Sequence, residues 1–379
     1  CVKACPEKDI IGLVDGKAMV INATNCIGHG ACFHSCPVEA ISLRIGTEKR
    51  GVDLPHIKPN YETNIKGIYI AGELGGMGLI KNSTKQGKRA VANIAEDKKP
   101  SKEGVLDLAI IGAGPAGIAG ALSAKKHELS FTVLEQDSLG GTVFSYPRQK
   151  VVMTRPMKLP LYGKVKLFDT NKEELLKLWN KVLSENNIKI REHAKVNKIV
   201  PIENGDFRLE INGSEPVLAR QILIAIGRRG SPRKLNVPGE ELPKVSYRLL
   251  EPERIKDQKV LVVGGGDSAV ESAMLLMDNN EVTLSYRKEN FARIKAKNKT
   301  LIDKAIANQQ LAVLYNSKVL EIKEHEVIMG FNNKTETLEL PNDLVYIFAG
   351  GELPISFLKE AGINVEKKFG KIVKKHRKK

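Results

Sequence analysis

The chain of 379 residues is 42% hydrophobic and 27% charged, long enough for two or three domains, and none of its apolar runs approaches the roughly 18 residues of a membrane span. A net charge of +16 with 5% aromatic residues suits phosphorylated cofactors and acidic carrier proteins, whereas no basic patch interleaved with stacking residues marks a nucleic-acid module. No signal peptide precedes the first strand pattern, so a cytoplasmic setting is expected, with membrane contact and homodimer formation left open; a start at Cys1 instead of Met reads as an expected fragment.

All five cysteines lie within the first 36 residues. Residues 1–44 carry Cys1-x3-Cys5-Pro6 and then Cys26-x2-His29-x2-Cys32-x3-Cys36-Pro37, with short strands expected at Ala18–Ile21 and Ala40–Leu43. Thiolates at these spacings are the donor set of iron-sulfur clusters. The segment resembles a two-cluster bacterial ferredoxin that shows only the end of its first cysteine run. In that family the last cysteine of each run ligates the other run's cluster. The resemblance therefore implies Cys5, Cys26 and Cys32 around one 4Fe-4S cluster, His29 standing where a fourth cysteine is expected, and Cys1 with Cys36 on a second. His29 as ligand or bystander is left open, as are a three-iron cluster, an iron-free module and a disulfide-stapled one, the last requiring an oxidising compartment.

Residues 45–99 contain Gly67-Ile-Tyr-Ile-Ala71-Gly72-Glu73 and an amphipathic pattern from Leu79 to Ile94, followed by a linker to Glu103. Residues 100–233 open with a dinucleotide fingerprint. An apolar run, Leu108–Ile111, meets Gly112-x-Gly114-x-x-Gly117; a helical pattern and a second run, Phe131–Leu134, lead to Glu135. Gly112 serves the tight turn, Gly114 admits a pyrophosphate to the backbone, Gly117 lets helix and strand pack, and Glu135 can take a ribose hydroxyl. Leu139-Gly140-Gly141-Thr142 follows, Trp179 reads as core, and the apolar run Ile222–Gly227 leads into Arg228, Arg229 and Arg233, which face a phosphate or a solvated hinge.

These stretches resemble the thioredoxin-reductase-like FAD/NAD(P) oxidoreductases. The resemblance implies FAD held by the fingerprint and Glu135, with Gly141 and Thr142 close to the isoalloxazine. It places Gly72 and Glu73 at the ribityl chain, where the family more often has Asp, and Lys81 near the flavin C2 carbonyl at a helix N-terminus.

Residues 234–346 hold a second fingerprint: Val260–Val263, Gly264-x-Gly266-Asp267-Ser268-Ala269, then Val282–Ser285. Ala269 replaces the third glycine, as nicotinamide-binding versions allow. The second strand runs into Arg287 and Lys288, with Arg293 beyond, where NAD would call for a carboxylate. Cations there suit a 2′-phosphate, so NADPH is favoured over NADH; a solvated strand end is the plain alternative. Residues 347–370 resemble the family's return to the flavin domain, and 371–379 read as a frayed basic tail.

The expected fold class is α/β: two Rossmann-like three-layer nucleotide-binding domains, for FAD and NAD(P), plus a small α+β ferredoxin-like N-terminal domain. The Ala-Gly-Glu element precedes the fingerprint that it follows in the relatives, so the flavin domain reads as circularly permuted; a tail from a separate upstream flavin domain is the rival. The expected function is an NAD(P)H-dependent FAD/iron-sulfur oxidoreductase serving a ferredoxin-like or other one-electron carrier. The alternative is a thioredoxin- or bacillithiol-type disulfide reductase without an internal C-x-x-C, and a second is a flavin redox sensor or scaffold. No catalytic side chain is assigned, because the chemistry belongs to the cofactors.

Overall fold

A computed structural model of the chain describes residues 2–5, 10–22, 26, 30–46, 51–76, 78–97, 102–146, 152–154, 156–203, 205–228, 230–292, 294–331 and 336–374. Cys1, His29, Arg229 and Arg293, named above, lie outside these, as do 375–379 of the basic tail. The chain divides into two compact units, one of residues 1–144, 151–228 and 354–379, the other of 145–150 and 229–353.

The first unit begins with β1 (Ile11–Val14) and β2 (Lys17–Val20), an antiparallel hairpin, and the short α1 (Ala31–His34). β3 (Leu43–Ile45) and β4 (Val52–Pro55) follow, then β5 (Ile68–Ile70), α2 (Ile80–Glu96), β6 (Leu106–Ile111), α3 (Pro115–Lys126) and β7 (Phe131–Leu134). Four short strands come next: β8 (Val152–Met153), β9 (Met157–Leu159), β10 (Gly163–Val165) and β11 (Asp169–Thr170), with β9 paired to β10 and β8 to β11. α4 (Lys172–Glu185) is capped by the Asn171 side chain, which accepts the Glu174 N–H at 3.0 Å, and it buries Trp179 as expected of a core residue. The meander β12 (Val196–Pro201), β13 (Phe207–Ile211) and β14 (Ser214–Ile224) completes the sheet.

The sheet turns on β14. Its first half pairs antiparallel with β13; its second half runs parallel to β6, Ala219 opposite Leu106 through Ile224 opposite Ile111. Where β13 has ended, β5 takes the other edge of β14 in parallel, Ile68 to Ile70 opposite Ile222 to Ile224. The strand of the early Ala-Gly-Glu element thus lies in the same sheet as the fingerprint strand β6. β5 and the Leu108–Ile111 part of β6 are continuous apolar runs, which is the pattern of strands buried on both faces. α3 is sandwiched: Ala116 through Ala124 are all buried. Its small residues let α2 come close, so close that a Cβ on Gly87 would sit 1.9 Å from the Ala116 carbonyl oxygen.

The second unit starts with β15 (Ser231–Pro232) and β16 (Val245–Ser246), followed by β17 (Lys259–Val263), α5 (Asp267–Leu276), β18 (Glu281–Tyr286), α6 (Ala296–Ala307) and β19 (Ala312–Tyr315). An antiparallel trio follows, β20 (Ser317–Ile322), β21 (Glu326–Phe331) and β22 (Glu336–Pro341), then β23 (Leu344–Ile347) and β24 (Gly351–Glu352). The main sheet is parallel, in the order β16-β23-β17-β18-β19. One core packs α5 and α6 on it; a second lies between the sheet and the antiparallel trio.

The chain then returns to the first unit through α7 (Ile355–Glu360), β25 (Val365–Lys368) and β26 (Lys371–Lys374). β25 pairs with β4 and β26 with β3, so both ends of the chain share strands. Two expectations change here. Residues 371–374, read as frayed tail, form a strand; Ile372 and Val373 are β-branched, and charge count hid that propensity. Nor do the described parts of residues 1–44 assemble the expected ferredoxin-like sheet, because β3 takes its partner from the far end of the chain. Among the described residues no helix is long and apolar enough to cross a membrane.

Candidate functional site

In the first unit the fingerprint glycines are required by close approach. Gly112 has φ +103°, donates its N–H to the Leu134 carbonyl at 2.7 Å, and a Cβ there would lie 2.6 Å from the Ala225 carbonyl oxygen. A Cβ on Gly117 would stand 1.8 Å from the Gly112 oxygen, whereas one on Gly114 would meet nothing within 4 Å. Gly114 therefore caps α3 beside open space, Pro115 opens the helix, and no acidic residue occupies its first turn. Unpaired N–H groups and the helix dipole face that space, the physical requirement for a pyrophosphate. Glu135 is buried at the same turn: its Oε2 accepts the Ala113 N–H at 2.7 Å and its Oε1 the Asp137 N–H at 3.0 Å.

Other segments close on this turn. Gly140 donates to the Ala113 carbonyl at 3.0 Å, and a Cβ on Gly141, whose φ is +52°, would be 3.6 Å from the Gly114 Cα; half-buried Thr142 follows in the same 3-10 turn. From the β5 side, Ala71 donates to the Ile224 carbonyl at 3.1 Å, and a Cβ on Gly72 would approach Ala116 Cβ to 3.1 Å. The structure thus brings Gly72, Gly112, Gly114, Gly117, Glu135 and Gly141 around the N-terminus of α3. Glu73 begins the next turn with its side chain exposed, and Lys81 is exposed on the first turn of α2.

Gln86 carried no assignment in the sequence, and Arg228 only the open choice between a phosphate and a solvated hinge. Gln86, on α2, accepts the Gly72 N–H at 2.9 Å through its Oε1 and so holds the Ala-Gly-Glu turn; its place one helical turn beyond Ser83 on the packed side of α2 was the available signal. Arg228, four residues past the end of β14, donates from Nη2 to the Asp53 carbonyl at 3.2 Å. Burial depresses its pKa, and Glu73 and then Asp53 act in the opposite direction.

In the second unit Gly264 has φ +145° and donates to the Ser285 carbonyl at 3.0 Å; a Cβ there would lie 2.5 Å from the Phe348 oxygen. Gly266 caps α5 beside open space, Ser268 is exposed and Ala269 fully buried. Asp267 stands in the first turn, where its Oδ1 accepts the Lys295 N–H at 2.9 Å and the Asn298 amide at 2.7 Å. The ring of Tyr286 covers Gly265, whose Cβ would fall 2.0 Å from it, and stacks on Phe291 with centroids 5.2 Å apart. Arg287 and Lys288 follow, both exposed.

Cys5, Cys26, Cys32 and Cys36 are free thiols. Burial pushes the Cys32 thiol up, and the neighbouring Cys26 and Cys5 add to the rise. Burial also acts to raise the Cys36 thiol, but backbone N–H groups, those of Ala40, Val38, Ile41 and Glu39, together hold it below the usual thiol value; the Ala40 N–H is 3.3 Å from its sulfur. Cys26 and Cys5 therefore both lie within electrostatic reach of Cys32. Among the described residues no three His, Cys, Asp or Glu side chains come together as metal ligands, and Cys1 and His29 of the expected set lie outside those residues. The glycine cradles of the two units do fit dinucleotides.

Comparison with known proteins agrees with the two cradles. The family described as pyridine nucleotide-disulphide oxidoreductase matches residues 109–378. The chain is 27% identical over 268 residues to bacilliredoxin reductase Bdr of Bacillus subtilis, covering 69% of this chain and 82% of that protein. It is 31% identical over 245 residues to a ferredoxin–NADP reductase of Picrophilus torridus, covering 63% and 67%. Among solved structures, bacillithiol disulfide reductase Bdr from Bacillus cereus aligns with a TM-score of 0.56 at 26% identity, over 68% of this chain and 82% of that one.

Proposed function

We infer that this chain, which belongs to the pyridine nucleotide-disulphide oxidoreductase family, takes reducing equivalents from NADPH onto FAD in its first unit and delivers them to a disulfide brought by another molecule. The enzyme is a flavin-dependent NAD(P)H oxidoreductase. FAD supplies the chemistry when bound, accepting a hydride and releasing its electrons in pairs or singly. The chain's own groups hold it: Gly112, Gly114 and Gly117 admit the pyrophosphate to the α3 N-terminus, Glu135 takes the ribose, and Gly72, Glu73, Gly141, Thr142 and Lys81 surround the flavin end. Gly264, Gly266, Ser268 and Ala269 receive the nicotinamide dinucleotide, with Arg287, Lys288 and Arg293 as partners of a 2′-phosphate.

The observation that carries the disulfide reading is the family match across residues 109–378, supported by the name of the Bacillus cereus structure, a bacillithiol disulfide reductase. No cysteine occurs after Cys36, so the matched region has no dithiol of its own and the disulfide would meet the flavin directly. The permuted reading of the first unit is supported by β5 pairing with β14.

A second reading, the iron-sulfur relay to a ferredoxin-like carrier, is favoured by the electrostatic reach of Cys5 and Cys26 to Cys32 and by the ferredoxin–NADP reductase relatives. NADPH oxidation measured with low-molecular-weight and protein disulfides, and separately with one-electron acceptors, separates the two. Disulfide turnover at ordinary enzymatic rates, on the order of 1 per second or faster, is expected. Fast reduction of one-electron acceptors alone would replace this reading with the relay.

A further inference from the structure

Arg228 has one half of its guanidinium engaged and the other half idle. Nη2 donates to the Asp53 carbonyl at 3.2 Å, while Nη1 is shut off from solvent and has no hydrogen-bond partner among the described residues. A buried N–H of a charged group left unpaired is costly, and each such group in a folded chain calls for an explanation. The residue sits four places beyond Ile224, where β14, the strand flanked by β5 and the fingerprint strand β6, has ended. Glu73 is within electrostatic reach but does not supply the missing acceptor.

We propose that the idle Nη1 edge of Arg228 is a flavin-directed donor, completed by an oxygen of bound FAD, and that this fixed cation, facing Glu73, raises the flavin's tendency to be reduced. The proposal rests on the reading of the first unit as the FAD site. Hydride uptake from NAD(P)H adds two electrons and one proton to a neutral flavin, leaving one negative charge on it and releasing NAD(P)+. A guanidinium held nearby favours that charged product, whereas Glu73 alone would oppose it. The planar fork suits the task, because one nitrogen can stay on the Asp53 carbonyl while the other meets the ligand.

The full chain and its R228M and R228K variants are compared by FAD per chain, by FAD dissociation constant after reconstitution, by the midpoint potential of the flavin, and by thermal melting of the apoprotein. R228M is expected to bind FAD at least tenfold more weakly and to shift the two-electron reduction equilibrium at least tenfold, a potential lower by about 30 mV. R228K is expected to stay within threefold of wild type in that equilibrium, having kept the charge, yet to bind FAD at least threefold more weakly, having lost the fork. Apoprotein melting should not fall in either variant. Wild-type affinity and potential in R228M, wild-type affinity in R228K, or a change confined to apoprotein melting would overturn the proposal. Wild-type chain that takes up no FAD would instead overturn the FAD reading on which it stands.

Discussion

Gly265 shows how a single residue can hold a nucleotide loop in place. Its missing Cβ is where the Tyr286 ring sits, so Gly265→Ala should force ring or loop to move, and Tyr286→Ala in the same chain should relieve the conflict. Overpacking of this kind costs about 1–3 kcal/mol. Thermal melts of both variants test it: a G265A chain as stable as wild type would show that the loop yields freely. Glu240 gives a prediction that depends on pH. It is 6% exposed, and burial works to raise its pKa, but the Tyr247 hydroxyl and the N–H groups of Leu235 and Asn236, at 2.6 and 2.7 Å, hold it below the usual carboxylate value. A depressed carboxyl stabilises the fold above its unfolded pKa of about 4.3 and loses that contribution as pH falls through the folded value. Glu240→Gln should therefore cost about 1–3 kcal/mol at pH 7. Denaturant melts should show the gap from wild type closing below about pH 4, and a gap that persists in acid would contradict the assignment. Neither Glu240 nor Arg228 was legible as a partnered or idle group in the sequence, because partners such as Tyr247 and Asp53 are brought in by the fold.

At the scale of elements, both fingerprints were legible because strand, glycine turn and helix are local in sequence. The place of β5 was not: pairing with β14 joins residues more than 150 positions apart, and only the likeness of the Ala-Gly-Glu stretch hinted at it. The tail strand β26 was missed for the same reason, since its partner β3 lies at the other end of the chain. The contact of α2 with α3 is the element-level test of the flavin cradle. Gly87→Val would drive two methyl groups into the Ala116 carbonyl and unseat α2, taking Gln86 and the Gly72 turn with it. Flavin retained after purification should fall by a factor of ten or more while the second unit keeps its NADPH affinity. Undiminished flavin in G87V would mean that α2 does not support the cradle.

For the whole molecule, the family and its two nucleotide cradles follow from sequence and structure together, whereas the cysteine-rich beginning divides them. Spacing alone announced iron-sulfur ligands, but spacing does not specify convergence, and the four described thiols do not gather as ligands. Cofactor choice is a whole-chain property as well, read from NADPH and NADH turnover. Replacing Arg287 and Lys288 with Ala should raise KM for NADPH by about tenfold, one charge-assisted contact, and leave NADH almost unchanged; equal losses with both would remove the 2′-phosphate reading. The most direct test of the acceptor uses the full chain with all five cysteines alkylated, reduced anaerobically with NADPH and then mixed with a disulfide. The disulfide reading predicts that the oxidised flavin spectrum returns in step with two thiols formed per flavin. A flavin that stays reduced under the disulfide, and reoxidises only with a one-electron carrier when the cysteines are left unmodified, would contradict it.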